Sequence, residues 1–130
     1  MSRAVREERG SSAVEFAIGA PILLGFIYGL AQLAILFFAQ SGLNHAVAEA
    51  ARVASVYPRP SSASIRAAVV DERFGLDATR LGDPVLAEST ENGVTYVTIS
   101  LSYSADVNLL FFGTRTITMG ESRKVAVHSS

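Results

Sequence analysis

With 130 residues the chain has room for one domain and hardly more. Its 11 basic and 12 acidic side chains leave a formal net charge of −1, so it offers nucleic acid no basic surface. Cysteine is absent, which excludes disulfides and thiolate chemistry and fits a periplasmic domain without selecting one.

The chain opens with MSRAVREERG, residues 1–10, a short polar segment expected to be disordered. A helix is expected from Ser11 or Ser12, either of which can cap it. Residues 16–39 then form a near-continuous apolar run, too long for the core of so small a soluble protein. As a helix it would extend about 36 Å, against about 30 Å for the hydrocarbon layer of a bilayer. We therefore read residues 11–39 as a membrane-spanning helix. Arg3, Arg6 and Arg9 precede the span, and the first basic residue after it is Arg52. That asymmetry places the amino terminus in the cytoplasm and the remainder outside.

The helix is expected to continue over residues 40–57. Leu43, Val47, Ala50, Ala51, Ala54 and Tyr57 form a stripe at helical spacing. Gly42 weakens the helix by about 1 kcal/mol, too little to break it, and Pro58 and Pro60 end it. Residues 58–130 form a small outer domain. PSSASIRAAVVDERFG predicts a second helix, capped by Ser61 or Ser62 and ended by Gly75, with Ile65, Ala68, Val69 and Phe74 as its apolar face. LDATRLGDP is a loop. From Pro84 the period becomes two, and Asn92-Gly93 marks a hairpin turn between PVLAEST and VTYVTIS. Thr95, Val97, Ile99, Leu101 and Tyr103 are the face to bury. In DVNLLFFG the apolar run Leu109 to Phe112 is read as sheet core, with an exposed interaction surface as the alternative, and RTITMGESRKVAVHSS supplies one or two last strands. Thr116, Thr118 and Lys124 are expected to face outward. The fold class is α+β: a single amino-terminal transmembrane helix, a short second helix and three or four antiparallel strands, with the outer half of the long helix as lid to the sheet.

The span carries two features of its own. Pro21, Gly25, Gly29 and Gln32 fall near one face, and Gly25-x-x-x-Gly29 is a small-residue pair that lets helices approach closely in lipid; a helix-contact face is the reading, with incidental placement of common membrane-helix glycines as the alternative. Glu15 lies one turn inside the helix, where a carboxylate still reaches the interface at small cost. A cut after Gly10 would make Ser11 the first residue and set a new amine one helical turn from Glu15.

The outer domain shows no catalytic constellation. His45 and His128 have no neighbouring ligand set for a metal, Asp71, Glu72 and Asp77 read as solvated charges, and no serine lies in a GxSxG context. Gly113 and Gly120 read as isolated turn residues, without a phosphate loop. Neither an enzymatic activity nor a cofactor is expected.

Arg9-Gly10, the AVEFA that follows, Pro21 within the apolar run and the extension AEAARVA together resemble the TadE family of minor pseudopilins, in the tight-adherence or Flp pilus assembly systems. The resemblance spans residues 9–54. It implies a small pilin-like outer domain and removal of residues 1–10 by a prepilin peptidase cutting between Gly10 and Ser11. It implies that Glu15, with Phe16 beside it, acts in assembly by pairing with the amino terminus of an adjacent subunit. The implied partners are the peptidase, other pilin-like subunits, pilus assembly membrane proteins and the lipid bilayer. The implied location is the bacterial inner membrane, crossed once, with the carboxy-terminal domain in the periplasm. The rival readings are an uncleaved membrane-anchored envelope binding protein and a secreted protein cut after Ala46-Val47-Ala48.

Overall fold

A computed structural model of the chain describes residues 4–127 apart from Tyr57, Phe74 and Phe111, with the backbone alone described for residues 4–11. One helix, α1, runs from Ala4 to Ala54. It begins well before Ser11, so neither serine is its cap and the expected disorder is not found over residues 4–10. The physical reason is composition: Ala, Arg and Glu are strong helix formers, and Gly10 subtracts only about 1 kcal/mol. Gly42 is likewise absorbed. The helix stops three residues earlier than the proline-based boundary, where the Ser55 hydroxyl donates to the Ala51 carbonyl at 2.8 Å. Tyr57 lies outside the described residues.

The second helix, α2, runs from Ser62 to Asp71, and Ser61 is its cap, accepting a hydrogen bond from the Ser64 amide at 3.2 Å. Ile65 and Val69 are buried, Ala68 is half-buried, and Phe74 lies outside the described residues. The C-cap is Glu72, so Gly75 shapes the turn beyond the helix rather than ending it. Gly75 has φ 74°, and a side chain there would overlap the Phe38 ring of α1. That close approach ties the turn to the long helix.

Three strands follow in one antiparallel sheet of order β1-β2-β3: β1 from Val85 to Glu91, β2 from Val94 to Leu109 and β3 from Gly113 to Val127. The first hairpin turns at Asn92 and Gly93, both with positive φ (52° and 79°), as a two-residue turn of this hand requires. The described residues hold one last strand, not two, and Gly120 lies within it opposite Ser102 rather than in a turn. Leu81 bridges to Tyr103, which extends the β1 side of the sheet by one short contact. His128 lies outside the described residues.

The core sits between the outer half of α1 and the inward face of β2. Leu43, Ala46, Val47 and Ala50 of α1 meet Val97, Ile99, Leu101 and Tyr103 of β2, with Ile65 and Val69 closing one side. The predicted stripe of α1 and the predicted face of the sheet are therefore the ones buried, and the helix is the lid. Thr116, Thr118 and Lys124 face outward.

Candidate functional site

Of the described residues, one helix is long and apolar enough to cross a membrane, over Ser12–Ala54, and only 6% of its most apolar window is buried by the rest of the chain. That figure separates a membrane helix from a core helix of the same composition. Phe16 is 76% exposed and Phe37 72%. In water such a surface would be far larger than the apolar patches soluble monomers show, whereas lipid accepts it at no cost. Between Phe16 and Phe38 the helix carries no charge and Gln32 is its one amide, so it is apolar on nearly every side, as a span must be.

One face of this helix is shaped. Pro21, Gly25, Gly29 and Gln32 line a single groove of about 440 Å³, together with Tyr28 and Leu36. The four residues singled out by spacing are therefore brought together. The opposite wall of the groove was not anticipated. It is the tip of the second hairpin, from Val107 to Leu110 and Phe112. The run Leu109 to Phe112 is not in the sheet core: Leu109 is 42% exposed, Leu110 54% and Phe112 81%, and Phe111 lies outside the described residues. The reason is that β2 does not stop near Tyr103. Ala105 and Val107 continue its buried alternation, so the apolar run falls at the far end of the strand and in the turn.

A Cβ added at Gly25 or Gly29 would meet no atom within 4 Å. The chain's own packing therefore places no demand for glycine at either position, and the space they leave opens into the groove. Glu15 stands at the other end of the same face, because Glu15, Ile22, Gly29 and Leu36 are spaced by seven and the last three line the groove. Two helical turns nearly complete seven residues, with a drift of only about 20° per step. Glu15 and Phe16 are both exposed on the helix, and Gly10 and Ser11 lie in its first turns.

The polar groups of the outer domain stay at its surface. Among the described residues no polar or charged side chain is buried. Arg52 donates to Glu49 at 3.0 and 2.9 Å and holds that carboxyl below its ordinary range. The Thr79 amide and hydroxyl donate to Asp77 at 2.9 and 2.8 Å, lowering it in the same way. Exposed His45 meets Glu72 at 3.2 Å, and Asp71 is solvated. These pairs organise turns and helix ends; they do not converge on a cleft.

Residues 10–52 match the family model described as TadE-like protein. The match covers about a third of the chain, which is similar to TadE-like proteins over that stretch. No curated protein and no solved structure matches the chain. The TadE-like segment starts at Gly10 and ends two residues before α1 does, so it contains Ser11, Glu15, Phe16 and the helix wall of the groove. The hairpin wall lies outside the TadE-like segment and belongs to the part of the chain that the match leaves uncovered.

Proposed function

We propose that this protein is a minor pseudopilin that acts in assembly of a tight-adherence pilus, anchored in the bacterial inner membrane by α1 and packing through it against the helices of other pilin-like subunits. In this reading a prepilin peptidase removes residues 1–10, and the amine of Ser11 and the carboxylate of Glu15 then serve contacts between neighbouring subunits. The observation that carries the reading is the coincidence of the TadE-like match with an apolar helix that the rest of the chain leaves exposed, and whose small-residue face opens into a groove. A helix of another subunit is the occupant that suits this groove: its walls are apolar, it runs along the span, and glycines line it without serving the chain's own packing.

The structure weighs against secretion by cleavage after Ala48. Leu43, Ala46 and Val47 are fully buried against the sheet, so a cut there would take a central part of the core away from the domain it released. An uncleaved anchor remains the rival, and it predicts no effect of Glu15. We expect Glu15→Ala to insert normally and to lower the number of pili on cells by about tenfold, the effect of losing about 1.4 kcal/mol of contact between subunits. Counting pili by electron microscopy, with the mutant's membrane level measured alongside, checks this. Normal piliation would remove Glu15 from the assembly contact and favour the rival.

A further inference from the structure

We propose that the tip of the second hairpin, with Leu109, Leu110 and Phe112, dips into the outer leaflet of the bilayer beside α1, so that the outer domain is held to the membrane at two places rather than one. The inference rests on α1 spanning the bilayer and goes beyond the pilus reading, which does not require it.

Four observations converge. First, the tip shares one groove with Pro21–Leu36, a stretch within the apolar run, so the tip faces a part of the helix that lies in lipid. Second, Val107 to Gly113 contains no charge, while Asp106 and Arg115 bound it on the two strands. Asp106 is paired with Arg80 at 3.0 Å and with the Thr116 hydroxyl at 2.7 Å, which keeps the last carboxylate on the aqueous side of the arm. Third, the arm is two-stranded. The contacts of β2 on its β1 side reach only to Ser104, whose amide donates to the Arg80 carbonyl at 3.0 Å, and Ala105 to Leu109 pair with β3 alone. A two-stranded ribbon is marginal in water, and an apolar tip on it gains from a non-aqueous contact. Fourth, the turn meets its own backbone needs in part: the Phe112 amide donates to the Leu109 carbonyl, and Gly113 at φ 78° closes the three-residue loop back into the ladder.

The chain has no cysteine, so single cysteines can be introduced into the full-length protein at Phe26, Leu110, Phe112 and Ser122 and labelled with the environment-sensitive dye NBD. The protein is reconstituted at low density into phosphatidylcholine–phosphatidylglycerol vesicles containing doxyl-labelled lipid. The dye at Leu110→Cys and Phe112→Cys should lose most of its emission, more with a shallow doxyl group than a deep one, while Ser122→Cys keeps its own. Phe26→Cys reports the span itself and should be quenched throughout. Quenching at 26 with none at 110 and 112 would overturn the hairpin contact and leave the span intact. Absence of quenching at 26 would remove both. Shielding of 110 and 112 from aqueous iodide without doxyl quenching would mean that a second copy covers the tip, and would also overturn the proposal.

Discussion

Val47→Asp is expected to unfold the outer domain while leaving the chain in the membrane. Val47 is fully buried on the outer half of α1, within the cluster that joins the helix to β2 and α2. A carboxylate placed there has no partner, because the cluster contains no buried polar or charged group among the described residues. Burying an unpaired charge, or shifting its ionisation until it is neutral, costs several kcal/mol. Domains of this size are stable by only about 5–15 kcal/mol, so the substitution removes most or all of that margin. The span is unaffected, since the apolar residues 16–35 lie outside the buried cluster to which Val47 belongs. Limited proteolysis from the outer side of spheroplasts should reduce Val47→Asp rapidly to a membrane-held fragment under conditions that leave the unmodified protein whole. Val47→Ala, which only removes two methyl groups, should show intermediate resistance. Equal resistance of all three would mean that α1 is not the lid of the sheet.

The second large effect is expected from Gly25→Leu combined with Gly29→Leu. A Cβ at either position meets nothing within 4 Å and neither glycine belongs to the buried cluster, so the core of the outer domain should not change. The new side chains do project into the groove between α1 and the hairpin tip. If another subunit's helix occupies that groove, two leucines push the backbones apart and forfeit the close packing on which helix association in lipid depends. Pilus production should then be lost, while protein level, protease resistance of the outer domain and membrane fractionation stay at the unmodified values. Full piliation by the double mutant would mean that the groove is not a subunit contact. Because the two glycines are neutral for the chain's own packing, the result separates association from folding, which Val47→Asp by design does not.

Much of this architecture was legible in the residues. The period of α1 beyond the span, the capping Ser61 and the Asn92-Gly93 turn each have a local physical cause, and local causes are what a sequence displays. The groove was half legible: the spacing of Pro21, Gly25, Gly29 and Gln32 shows one wall, while the other wall comes from more than seventy residues away and has no local signature. The signal for it existed in the alternation itself, because Ala105 and Val107 keep the odd-numbered buried face of β2 going past Tyr103. Following that period carries the run Leu109 to Phe112 out of the sheet and into the turn. An apolar run reads as core only where water is the alternative, and beside a membrane helix it is not. The early start of α1 is hidden for the opposite reason: a charged amino-terminal segment reads as unstructured although its residues favour helix.

The proposed role in assembly requires an apolar helix whose leader is removed so that a new amine lies one turn from Glu15. Intact-mass measurement of the membrane form, from cells carrying the unmodified gene and a Gly10 substitution, tests this most directly. The account predicts a chain beginning at Ser11 in the first case and the full-length chain in the second. A protein that keeps residues 1–10 in cells that assemble pili normally would contradict it.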